Sequence, residues 1–216
     1  MTEIRIAVIG APGSGKSAFA QKLATEIRAA RGETKKKTPV RVVDGYMDKL
    51  QKKTGYAFDI FATVPQNLQV LFHRWTLEQE AEKAGCDVLI TAGSLYETIL
   101  YGAMRINSDA VLYPKDKNIQ VHGRVGMEAF GMIHSMIAVQ DLLFYLPYTE
   151  KQVAEKGRSY DVAINDKLPE VVDGYFRVLN VLEGTTKRKL ADALRAVGAV
   201  ERWKAENPSP SDEPPV

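Results

Sequence analysis

Disulfides, metal-ligand spacing, a long apolar run and an excess of charge are all missing from this 216-residue sequence. A single cysteine, Cys86, excludes an internal disulfide and suits a reducing compartment; beside an apolar stretch, it is expected simply to pack. The three histidines, His73, His122 and His134, stand at no metal-site spacing, so no structural zinc is expected. No apolar run approaches the roughly 18 residues of a membrane span, and the first strand begins too near the N-terminus to leave room for a signal peptide. The expectation is a cytoplasmic protein without membrane contact. With 29 basic and 27 acidic residues, a net charge of +2, there is no global field for nucleic acid. The basic run Arg31 to Lys37 reads as a solvated loop.

What is present is a phosphate loop. Gly10-Ala11-Pro12-Gly13-Ser14-Gly15-Lys16-Ser17 completes G-x-x-x-x-G-K-[ST], and the apolar run Ile4 to Ile9 before it reads as a buried strand. In such a loop consecutive backbone N–H groups curl around a β-phosphate, through Ala18 in the first helical turn, while the helix directs its positive end at the same charge. Lys16 offers a cation to the β and γ oxygens, and Ser17 offers a hydroxyl to Mg²⁺. Phe19, Leu23 and Ile27 follow at four-residue spacing, the stripe of a helix laid on a sheet. Strand, loop and helix thus occur in the order that nucleotide binding requires.

Beyond the loop, strand-like and helix-like stretches alternate without an internal repeat. Strands are expected at 4–9, 40–44, 87–91, 141–146 and 178–183, and helices at 15–30, 65–84, 94–105, 123–139, 164–176 and 185–197, with Gly85 and Gly198 as helix stops. Short apolar strands separated by helices mean an α/β fold, a parallel sheet covered on both faces with ligands at the carboxyl ends of its strands. Residues 1–206 read as one domain. Residues 207–216, rich in proline and polar side chains, read as a disordered tail.

The strand ends supply the remaining candidates. Asp44, at the end of strand two, can take a proton from an acceptor hydroxyl or bind Mg²⁺ through water; a turn aspartate capping the next helix is the plainer reading. Tyr46 can then hydrogen-bond an acceptor. Strand three ends in Thr91-Ala92-Gly93, without the acid that phosphate-loop enzymes usually carry there. Ser94, Tyr96 and Glu97 follow, and Glu97 can reach the metal or the substrate, or merely favour the helix dipole. On the helix at 65–84, Gln79 can read a base or sugar edge, while Phe72 and Trp75 read as packing. Segment 106–122 shows little periodicity and reads as a loop. The charged stretch around 149–163 reads as a mobile lid whose Arg158 neutralises charge on the transferred phosphoryl group, with Lys151 and Lys156 as substitutes. Asn165-Asp166-Lys167-Leu168 has the wrong order for a guanine-reading motif.

On the phosphate loop, the strand pattern, the stretch Asp141 to Pro147, Gly157-Arg158 and Val181-Leu182-Glu183-Gly184, the chain resembles the P-loop nucleoside and nucleotide kinases, in particular the nicotinamide riboside kinase-like and phage nucleotide kinase-like proteins. The resemblance implies a three-layer P-loop NTPase fold with a five-stranded parallel sheet of order 2-3-1-4-5 and a lid. It implies ATP and Mg²⁺ as cofactors, and Asp44 as the acceptor-side base. It also implies a small-molecule acceptor, a homodimer, and the host cytoplasm if the chain is phage-encoded. Family members often carry an acid-arginine pair after strand three; here no arginine follows until Arg105. A base or end of DNA or RNA as acceptor, and an NTP-driven switch without an acceptor, are the competing functions.

Overall fold

The computed structural model describes residues 4–32, 40–44, 46–55, 63–93, 97–98, 102, 106, 115–136, 140–156, 162, 165–166 and 179–207. Strands β1 (Ile4–Ile9), β2 (Val40–Val43), β3 (Val88–Ala92), β4 (Leu142–Tyr145) and β5 (Leu179–Val181) alternate with helices α1 (Lys16–Ala30), α2 (Tyr46–Thr54), α3 (Val64–Lys83), α4 (Lys117–Met136), α5 (Glu150–Lys156) and α6 (Thr186–Glu206). All pairings are parallel, in the order β2-β3-β1-β4-β5. The α/β parallel sheet expected from the alternation is what is found. Its body is the four strands β2-β3-β1-β4; where a fifth full strand was expected at 178–183, only the three residues of β5 pair with β4, at the edge.

The alternation of side chains along each strand divides the core between two faces. Ile4, Ile6 and Val8 of β1 join Val88 and Ile90 of β3 and Leu142 and Phe144 of β4 beneath α1 and α6. From α1 come the expected Phe19, Leu23 and Ile27, with Ala20 and Ala24 between them. Each large side chain buried this way contributes about 1.5–3 kcal/mol. On the opposite face α3 covers Val43, Cys86 and Leu89 with Leu77 and Ala81. Cys86 is packed there, as expected.

Helix α2 falls outside every expected helix range, and three other helices depart from expectation for local reasons. α4 begins at Lys117, six residues early, because the Asp116 carboxylate accepts from the backbone N–H groups of Asn118 (2.9 Å) and Ile119 (3.3 Å) and so caps the helix. The last part of the expected 106–122 loop is therefore helical. α6 runs through Gly198 to Glu206 instead of stopping there. A mid-helix glycine costs about 1 kcal/mol, and beyond it the helix gains the Arg31–Glu201 and Lys204–Asp141 (2.8 Å) ion pairs and the packing of Val200. Within the expected lid, α5 is a regular helix, closed at its start by a reciprocal box in which Gln152 Oε1 accepts from Thr149 N (2.8 Å) and Gln152 N donates to Thr149 Oγ1 (3.3 Å). The remaining boundaries lie within a residue or two of expectation, and α3 ends at Lys83, just ahead of Gly85. Most of the helices expected at 94–105 and 164–176, and the tail from residue 208 onward, lie outside the described residues.

Candidate phosphate-binding site

Residues 10–15 leave the carboxyl end of β1 and enter α1 at Lys16, so the loop sits where the central strand points its last carbonyls. Gly10 admits no side chain: a Cβ there would lie 2.5 Å from the Leu146 carbonyl oxygen and 2.6 Å from Ser14 Oγ. Gly13 has φ +84°, a conformation that side chains disfavour. The turn is closed by the Ser14 N–H donating to the Ala11 carbonyl (3.1 Å), and α1 starts with the Phe19 N–H donating to Gly15 (2.9 Å). Among the described residues, Ser14 Oγ is a buried polar atom without a hydrogen-bond partner. α1 has no acidic residue in its first turn to compete for its N-terminal N–H groups.

Lys16 and Glu97 meet at this loop. The Lys16 ammonium donates to the carbonyls of Gly10 and Ala11 (3.1 Å to the latter) and lies 3.9 Å from Glu97 Oε1. Glu97, 5% exposed, accepts from the Gly10 N–H at 2.6 Å, a short charge-assisted bond. A carboxylate five residues beyond the end of β3 thus lies against the loop. Nothing in the strand pattern signals the contact with Gly10, because Glu97 lies beyond the last residue of β3.

The end of β3 is held by a residue the sequence reading passed over. Arg74 of α3 is fully buried; its Nε donates to Glu78 (2.9 Å), Nη1 to the Ala92 carbonyl (3.1 Å) and Nη2 to the Gly93 carbonyl. Arg74 and Glu78 occupy the inner stripe of α3, which rotates Phe72 outward to 51% exposure; the expectation that Phe72 packs in the core was wrong. Arg74, mid-helix, meets the last residues of β3 while Glu82 near the helix end meets Arg5, so the N-terminal half of α3 lies toward the carboxyl ends of the strands. α2 packs against α3, which itself packs on β2 and β3.

Asp44 follows β2, half-buried, level with Ala92 of β3 by the register Val43 to Thr91. Gln79 is not brought to the site. It lies three residues before Glu82, which pairs with Arg5 at the start of β1, the end of the sheet away from the loop. Tyr46 begins α2, but its side chain lies outside the described residues, as do Ser94, Tyr96, Arg105 and Arg158.

Opposite α3, the β4 end and α5 close on the loop. Tyr148, itself buried, donates its hydroxyl to the Pro12 carbonyl, and Gln152 Nε2 donates to the Gly13 carbonyl (2.9 Å). Asn165 Oδ1 accepts from both the Tyr148 N–H (2.8 Å) and the Tyr145 hydroxyl (3.0 Å). Burial, then the nearby Asp166, Tyr148 and Glu97, push the Tyr145 phenol up to about 12, so it stays a neutral donor. Asn165, which fails as a guanine reader, is a tie between the segment beyond α5 and the end of β4.

No protein-family model matches the sequence, and no curated protein matches it either. Solved structures do. NadR protein in complex with NR superposes with a TM-score of 0.59 at 12% identity, over 92% of this chain and 50% of that one. Thymidylate kinase from Candida albicans gives 0.60 at 15% identity over 93% of each chain. Thymidylate kinase from Ehrlichia chaffeensis gives 0.60 at 12% identity, over 91% of this chain and 100% of that one. The chain therefore spans about half the length of the NadR chain and essentially all of the thymidylate kinases. Two of these neighbours are thymidylate kinases, and at such identities the likeness is one of fold.

Proposed function

We propose that this chain, whose fold is that of the P-loop nucleotide kinases, transfers the γ-phosphoryl group of ATP to a nucleoside, a nucleotide or a related small molecule, with Mg²⁺. What carries the reading is the convergence on one loop: a complete phosphate-binding sequence at the end of the central strand, with the Lys16 ammonium 3.9 Å from a buried Glu97 that holds the Gly10 N–H. The residues present fit a nucleotide. The unpartnered Ser14 hydroxyl and the helix start free of acids favour a bound anion.

Backbone N–H groups of Gly13 and of residues 15–18 would hold the phosphates, and Ser17, with Asp44 acting through water, would hold Mg²⁺, the rest of its shell coming from phosphate oxygens and water. When bound, Mg²⁺-ATP supplies the phosphoryl group and much of the charge neutralisation that its transfer needs. Lys16 stabilises negative charge on the β and γ oxygens. Glu97 stands in for the strand-three carboxylate. Asp44 lies two strand spacings from the loop, roughly 10 Å, the room a small acceptor needs, and accepts the proton of the acceptor hydroxyl. Tyr46, Ser94, Tyr96 and Arg105 are assigned to acceptor contact and Arg158 to the transferred group. Homodimerisation rests on the resemblance alone.

The test is acceptor-dependent ADP release from Mg²⁺-ATP across nucleosides, nucleoside monophosphates and oligonucleotides. A rise with one small acceptor is expected. Release that ignores every acceptor would favour an NTPase switch, and a rise only with oligonucleotides would move the acceptor to nucleic acid.

A further inference from the structure

Two peptide groups of the phosphate loop are held from outside it, by residues more than 130 positions away in sequence. A trans peptide points its C=O and its N–H in opposite directions. The Pro12 carbonyl accepts from the Tyr148 hydroxyl, so the Gly13 N–H of the same peptide points away from Tyr148. The Gly13 carbonyl accepts from Gln152 Nε2 at 2.9 Å, which turns the Ser14 N–H the other way, onto the Ala11 carbonyl at 3.1 Å. With φ +84° at Gly13 between them, these two planes have few steric restraints of their own.

We propose that Tyr148 and Gln152 are positioning residues that preset the phosphate loop: Tyr148 holds the Pro12–Gly13 peptide so that the Gly13 N–H is free to meet the nucleotide β-phosphate, and Gln152 holds the Gly13–Ser14 peptide in the turn, closed on Ala11, that gives the loop its shape. The inference rests on the nucleotide-binding reading above. Both donors are themselves anchored. Tyr148 packs on Ala11 with Val153 and Val162 and is tied through its N–H to Asn165, and Gln152 is fixed by the Thr149 cap of α5. A loop already in its binding geometry loses less conformational entropy when the anion arrives, and the saving appears as affinity. Tyr148 and Gln152 need touch no ligand to have this effect.

Gln152 allows its two roles to be separated. Its Oε1 caps α5 and its Nε2 holds Gly13. Gln152→Glu keeps the cap, since a carboxylate accepts the same bonds, and removes the donor; Gln152→Met removes both; Tyr148→Phe removes one hydroxyl with no change of charge. The experiment is titration of ADP into the full chain by calorimetry, with thermal unfolding of each variant alongside. Tyr148→Phe and Gln152→Glu should each weaken ADP about three- to tenfold, with Gln152→Glu melting at the wild-type temperature. The loss in Gln152→Glu should persist at high salt, where repulsion between carboxylate and phosphate is screened. Wild-type ADP affinity in both Tyr148→Phe and Gln152→Glu overturns the proposal while leaving the nucleotide reading intact. So does a loss in Gln152→Glu that salt abolishes together with an unchanged Tyr148→Phe. Absence of ADP binding by the wild-type chain overturns the nucleotide reading, and this inference with it.

Discussion

Arg74→Met should be among the most damaging single substitutions in this chain, although residue 74 touches neither the phosphate loop nor solvent. The guanidinium is 0% exposed and serves three acceptors: the Glu78 carboxylate at 2.9 Å, the Ala92 carbonyl at 3.1 Å and the Gly93 carbonyl. Methionine fills much of the volume but donates nothing. It leaves Glu78, 5% exposed, without the cation that faces it, and the carbonyls at the end of β3 without these donors. Breaking a buried pair on one side costs about 3–5 kcal/mol, a large share of the roughly 5–15 kcal/mol that holds a domain together. The measurement is urea unfolding followed by circular dichroism, where a loss of about 4 kcal/mol at unchanged slope is expected. In a thermal scan that is a drop of about 8–16 °C. Arg74→Met combined with Glu78→Met should recover part of the loss, because it removes the carboxylate left without its cation while the Ala92 and Gly93 carbonyls stay without these donors. A single-variant loss below about 1 kcal/mol, or a double variant no better than the single, would refute the reasoning.

Lys16→Ala should abolish turnover while leaving the unfolding curve in place; wild-type rates would remove Lys16 from the site. Asp44→Asn should cut turnover by about a hundredfold or more with little change in ATP affinity, the mark of a lost acceptor base, and steady-state kinetics with a direct binding titration check both halves. Tyr145→Phe should change the alkaline limb of stability. The phenol rises from 10.0 unfolded to about 12 folded, so the folded chain holds its proton more tightly; the contribution is complete below pH 10 and lost as pH climbs towards 12. That span is worth about 2–3 kcal/mol. The variant should therefore be about 1 kcal/mol less stable near neutrality but lose less between pH 10 and 12 in urea unfolding. Parallel curves for the two proteins would contradict the burial argument.

The phosphate loop, the strands and the α1 stripe were legible because each is written in consecutive or evenly spaced residues. What was not legible depends on partners far apart in the chain. Arg74 and Glu78 look like exposed helix residues until the Ala92 and Gly93 carbonyls are brought beneath them. Tyr148 looks like a strand-end residue and Gln152 like a lid residue until both close on Pro12 and Gly13. Gly198 was read as a stop because local propensity favours one, but Val197 and Val200 pack on the core from either side of it. Glu97 was picked out as a candidate, yet its bond to the Gly10 N–H could be found only by closing the sheet. Gln79 was placed over the acceptor by helix periodicity alone; the Arg5–Glu82 pair fixes the direction of α3 and sends Gln79 toward the opposite end.

The central claim is phosphoryl transfer to a small acceptor. It is tested most directly by product mass after incubating wild-type protein and Lys16→Ala with Mg²⁺-ATP and the nucleoside and nucleotide panel. The account predicts one acceptor heavier by a single phosphate with the wild-type chain and none with Lys16→Ala. An unmodified panel under conditions where the wild-type chain binds ATP would contradict it.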